Sequence, residues 1–164
     1  MLPNNFTHRA QEAIQRAHMN AMDRGQTQLD PLHLASALLE QDDGIVPAMM
    51  RKLGVDLASL KSAVEEGLHK LPVGSQISAP PGQIFLSDQL AKSLQTADKA
   101  AREFGDKFIS SEHLFLGLIS GCPSLSRVLA SHGVTNEQIF SSLKELRGSH
   151  KVDSPEAEAR VDLL

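Results

Sequence analysis

Within "GDKFISSEHLFLGLI", Asp106, Glu112 and His113 stand inside eight residues. A carboxylate beside an imidazole is raw material for acid–base chemistry, because the ring titrates near neutral pH and the carboxylate can orient it. Cys122 directly precedes Pro123 at a predicted helix start, where a thiolate could gain from the helix dipole. An enzyme using Cys122 or a pair of histidines is therefore the first reading to weigh. Against it, none of the seven histidines is spaced i, i+4, so a metal pair would have to bridge two helices. The chain lacks G-x-x-x-x-G-K-[ST], G-x-S-x-G and H-E-x-x-H, which removes the usual phosphate loop, nucleophile elbow and zinc-protease helix. A single cysteine allows neither an internal disulfide nor a cysteine-based zinc site, and reads more simply as a small packing residue.

Each acidic residue also has a plain explanation. Glu112 falls in the first turn of a helix capped by Ser110, where the helix dipole favours a carboxylate by a few tenths of a kcal/mol. Asp106, in "GDKF", suits a turn. His113 has a counterpart, since "SSEHLFLGLI" at Ser110–Ile119 repeats the outline of "DPLHLASALL" at Asp30–Leu39. A residue needed in both copies argues for scaffold, so His33 and His113 are expected to pack and to hydrogen-bond at helix starts.

Helices must position these residues. From Thr7 to Arg24 apolar residues recur at Ala10, Ala13, Ile14, Ala17 and Ala21, and Gly25 stops the pattern. Asp30-Pro31 opens a second helix, a cap residue followed by proline at the first helical position. A third runs from about Val46 to Leu53, and a fourth follows Asp56. After a stretch rich in Pro, Gly and Ser the programme restarts with caps at Ser87 and Ser110, a helix at Pro123–Ser131, and a capping box at Thr135–Gln138. At an offset of eighty, Gly25 matches Gly105, His33 matches His113 and Leu38 matches Leu118; at seventy-nine, Gly54-Val55 matches Gly133-Val134. The expected fold is all-α, two tandem four-helix repeats related by a pseudo-twofold. The expected boundaries are residues 1–70 and 87–147 for the repeats, 71–86 for the linker between them, and 148–164 for a polar exit.

Composition limits the partners. The apolar share of 41% and charged share of 22% are those of an ordinary globular protein. A net charge of −4 with no basic run argues against nucleic acid. Neither a signal-like segment nor a membrane-spanning run is apparent, so a soluble, cytoplasmic setting without membrane partners is expected. What remains is binding in a groove between packed helices.

Three segments, "FTHRAQEAIQRAH", "LDPLHLASALLEQDDGIVPAMM" and "LKELRGSHKV", resemble the N-terminal double-repeat domain of the Clp ATPases over about residues 1–152. "KELRGSHKV" resembles the end of this domain in the ClpB class. The resemblance implies a mobile N-terminal (Clp repeat) domain that captures unfolded or aggregated client proteins and passes them to a threading pore. It implies no cofactor for the domain itself, with ATP and magnesium held by the motor modules. It also implies a homohexameric parent working with the DnaK chaperone system, and a monomeric isolated domain. The family's polar substrate-linked positions fall on Thr7, Asp106 and Glu112. Its groove positions fall on Leu94, Thr96, Ala100 and His113, the last three less apolar than the pattern. The alternative that the resemblance leaves open is an adaptor-docking domain like that of ClpC or ClpA.

Overall fold

The structure, a computed structural model, describes residues 3–73 and 84–157. In chain order the elements are α1 (His8–Asp23), β1 (Gln28–Leu29), α2 (Pro31–Leu39), α3 (Ile45–Lys52), α4 (Leu57–His69), β2 (Phe85–Leu86), α5 (Asp88–Glu103), α6 (Ser111–Gly121), α7 (Pro123–Ser131) and α8 (Asn136–Arg147). The predicted caps are made as hydrogen bonds. Thr7 Oγ1 accepts from the Ala10 amide at 3.1 Å, and Ser87 Oγ accepts from the Leu90 amide at 3.1 Å. Thr135 and Gln138 close their capping box, with the Thr135 amide donating to Gln138 at 2.9 Å. Gly25 and Gly105 end α1 and α5 with φ of 69° and 77°, a left-handed conformation that a side chain would disfavour.

The pseudo-twofold is written into backbone pairing that the helical periodicity did not announce. Leu29 pairs in parallel with Leu86, and Phe6 bridges to Ile109. These are the same contact exchanged, since Phe6 and Leu86, like Leu29 and Ile109, are eighty residues apart. The segment leading into each repeat therefore completes the other repeat. The core is correspondingly one cluster, with Leu34, Leu38, Met49 and Leu60 joined to Leu90, Leu114, Phe115 and Ile139. Helices α2 and α6 lie at its centre and are buried nearly all round, as their run of apolar residues requires.

The two outer helices seat differently. Gly117 lies against α5, where an added Cβ would collide with the Ser93 carbonyl oxygen and stand 3.0 Å from the Ala97 nitrogen. Gly121, one turn on, faces Ser93 Oγ at 2.7 Å from the same hypothetical atom. The corresponding residues of the first repeat are Ala37 on α2 and Gln41 just beyond it. Both line a shallow cleft of about 970 Å³ between α1 and α2.

The linker between repeats falls mostly on residues 74–83, outside the described residues; its last residues form β2. The exit, read as a polar linker, is docked as far as Ala157. Val152 is fully buried, and its carbonyl accepts from the Lys107 and Phe108 amides at 2.8 and 3.2 Å. The Pro155 carbonyl accepts from the His8 amide at 2.9 Å. One valine in a polar run is enough to anchor it, a signal too short to register as periodicity.

Candidate functional site

Both histidines complete helix starts. His33 Nδ1 accepts from the Asp30 amide and His113 Nδ1 from the Ser110 amide, each at 2.9 Å. With Nδ1 accepting, the ring hydrogen sits on Nε2 and points toward the loop after the preceding helix. There the repeats diverge. His33 Nε2 donates to Gln26 Oε1 at 2.6 Å, and Gln26 Nε2 donates to the Leu68 carbonyl at 2.8 Å. His113 Nε2 donates to Asp106 Oδ2 at 2.8 Å, and Asp106 is held by a side chain, Arg147. Asp106 stands at the repeat position of Gln26, and Arg147 at that of Leu68.

Arg147 is the hub of the second arrangement. Its guanidinium meets Asp106 through two bonds of 2.6 and 2.8 Å, and lies 3.6 Å from Glu112 Oε2. It donates to the His150 carbonyl at 2.9 Å and covers the Phe104 ring at 4.5 Å. Ser110 Oγ bonds Glu112, and the Val152 amide donates to Asp106 Oδ1 at 3.0 Å. Glu112 and His113 are 0% exposed and Asp106 6%. Burial pushes the His113 pKa down to about 4, against the pull of Asp106, so the ring is neutral. Burial pushes Asp106 upward, but Arg147, the Val152 amide and His113 together hold it below the usual carboxylate value.

The carboxylates and the imidazole of this cluster are enclosed and bonded to one another and to Arg147. Cys122 is also buried, and burial raises its thiol pKa, which disfavours a thiolate at that helix start. Among the described residues no group of three His, Cys, Asp or Glu side chains is placed to hold a metal ion. No single helix among them is long and apolar enough to cross a membrane.

The structure separates the seven residues marked by the sequence into two sets. Thr7, Asp106, Glu112 and His113 lie inside, with Thr7 capping α1. Leu94 is also buried. Thr96 and Ala100 are partly exposed, and with Phe104 they form a stripe along α5 at four-residue spacing. Phe104 connects the sets, for its ring lies 5.9 Å from that of His113 and 5.8 Å from that of Phe140 on α8. Phe140 is 41% exposed. Sequence reasoning passed over both Arg147 and Phe140. The repeat offset contains a signal for the first, a cation where the other copy has a buried leucine; nothing in the periodicity marks the second.

Residues 5–132 match the family described as Clp repeat (R) N-terminal domain. The chain is 32% identical over 159 residues to the chaperone protein ClpB of Rhodopirellula baltica, covering 97% of this chain and 18% of that protein. It thus spans about a fifth of the length of the curated relatives it matches. Among solved structures it is similar to the Hsp104 N-terminal domain from Candida albicans, with a TM-score of 0.84, 25% identity, and coverage of 94% of this chain and 99% of that one. A complex of the ClpV N-domain with VipB peptide shares the fold, with a TM-score of 0.67, 17% identity and 85% coverage of each chain.

Proposed function

The chain belongs to the family of Clp repeat (R) N-terminal domains, and from that membership we propose that it captures unfolded or aggregated polypeptide segments for a ClpB-type disaggregase. The observation that carries this reading is the α5 face. Thr96, Ala100 and Phe104 lie one turn apart and only partly covered, above a buried ion cluster that holds the neighbouring loop in place. Asp106, Glu112 and His113 lie beneath this face and Leu94 supports it from the core, while Thr7 caps α1. Capture is weak, because a shallow helical face immobilises the client at a cost that little buried area offsets. Release onward to an ATP- and magnesium-dependent threading pore, a homohexameric parent, cooperation with DnaK and a cytoplasmic setting belong to the same proposal.

Titration of the isotopically labelled domain with a permanently unfolded protein tests it. Resonances of Thr96, Ala100 and Phe104 are expected to shift together and to saturate. An unperturbed α5 under saturating client overturns the reading. The peptide held by the related ClpV N-domain favours a second outcome, docking of a defined partner segment. Tight binding of one folded protein from lysate, together with indifference to unfolded chains, would establish that instead.

A further inference from the structure

Phe104, half-buried at the end of α5, and Phe140, exposed on α8, form a two-ring seam with a lysine at its edge. Lys144 Nζ stands 4.6 Å from the Phe140 ring centroid, one turn toward the end of α8. Lys151 Nζ bonds the Phe104 main-chain carbonyl, beyond the end of α5. Both lysines are exposed, and among the described residues neither has a carboxylate within ion-pair distance. The Arg147 guanidinium behind Phe104 is already committed to Asp106 and Glu112. The acidic neighbour Glu137 lies one turn before Phe140, at the opposite end from Lys144. The seam is thus apolar in the middle and positive at one end.

The stripe continuing into this seam explains why it matters. Thr96 and Ala100 offer little apolar area, whereas two phenylalanine rings offer a surface on which an aliphatic or aromatic side chain gains both burial and ring contact. We propose that the apolar anchor of the client face is the Phe104–Phe140 seam, and that its preferred occupant is an extended segment with an aromatic or aliphatic residue flanked by a carboxylate. The carboxylate meets Lys144 while the apolar side chain covers the rings. An ammonium over a ring face holds its position through the ring's negative charge density, so the lysine is pre-oriented toward a bound acid. This inference rests on the client-capture reading and sharpens it to a substrate class.

The test uses three fluorescein-labelled peptides of one length, with repeated Phe-Glu, Phe-Gln or Phe-Lys pairs, measured by anisotropy at low salt. The Phe-Glu peptide is expected to bind about fivefold more tightly than Phe-Gln, and Phe-Lys more weakly than either. Phe140→Ala lowers affinity for all three by about three- to tenfold. Lys144→Glu reverses the order of the Glu and Lys peptides, a result that loss of fold does not imitate, and circular dichroism of each variant confirms the helices. Equal affinity for the three peptides, or an unchanged order in Lys144→Glu, overturns the acidic preference. Ala100→Glu separates the levels. If it abolishes binding while Phe140→Ala leaves binding intact, capture on α5 stands and the seam is wrong. If saturating amounts of none of the peptides bind the wild-type domain, the capture reading falls with it.

Discussion

Arg147 grips Asp106 with both ends of its guanidinium, Nη1 to Oδ2 at 2.6 Å and Nη2 to Oδ1 at 2.8 Å, where the first repeat sets Gln26 against the Leu68 carbonyl. One fold position is thus solved with charges in one copy and with an amide in the other. Breaking a buried pair by removing one partner costs about 3–5 kcal/mol, since the remaining charge has no water, whereas replacing the whole group costs little. Arg147→Leu is therefore expected to destabilise by about 3 kcal/mol or more, leaving Asp106 and Glu112 facing each other. The triple change Asp106→Gln, Glu112→Leu, Arg147→Leu copies the first repeat and is expected to recover most of that loss. Urea midpoints of the variants decide it, and a triple variant as weak as Arg147→Leu would contradict the equivalence of the two arrangements.

Acid should loosen the same cluster. His113 has a folded pKa of about 4, below its ordinary 6.5, so its contribution is fully present above pH 6.5 and is lost as pH falls toward 4. That window is worth on the order of 3 kcal/mol. His33 is also lowered by burial, which adds in the same direction. Asp106, lowered despite its burial, has its contribution present above the usual carboxylate value and lost at still lower pH. Unfolding free energy should be flat above pH 7, decline between 6.5 and 4, and fall further below. In His113→Gln the middle segment should be shallower; an unchanged slope would mean that the ring is not held neutral.

Thr7 separates structure from client contact. Its side chain caps α1 from a fully buried position. Thr7→Ala is expected to cost about 1 kcal/mol of stability, the usual value of a lost cap. Thr7→Ser, which keeps the capping oxygen, should restore most of it. Client affinity of the folded Thr7→Ala domain should stay close to wild type. A marked affinity loss without a stability loss would place Thr7 in the contact surface.

Gly117→Ala tests the seating of α5 on α6. Its new methyl would overlap the Ser93 carbonyl, so the helices must part, at a cost of about 1–3 kcal/mol or more. The reverse change in the first repeat, Ala37→Gly, adds no atom, and should show the propensity cost of about 1 kcal/mol together with the loss of one buried methyl. Thermal melts of the two variants would show whether the asymmetry is real.

Helix order, caps and the duplication were legible because each rests on local chemistry. Asp30-Pro31, Ser87 and Thr135–Gln138 bond to their own first turns, so spacing alone reveals them. The pairing of Phe6 with Ile109 was not legible, since two-residue strands carry no period. His33 and His113 could be assigned to the scaffold from their recurrence. That Asp106 and Glu112 would be enclosed could not, because their burial depends on Arg147, more than thirty residues further along the chain. The Phe104–Phe140 seam escaped for the same reason: each phenylalanine reads as an ordinary helical position until the two helices are brought together.

The docked exit segment sets where tension would enter the domain. A pull at Ala157 loads the His150–Ala157 and Pro155–His8 bonds first, then the anchor of Val152 against Lys107 and Phe108. The same loop receives the leading strand through Ile109, and Asn5 bonds the Lys107 carbonyl at 2.8 Å. Residues 106–109 are therefore the bracket to which both ends of the domain are fastened. A force transmitted along the exit is borne by that bracket, which the Asp106 amide ties to the Ala101 carbonyl at the end of α5.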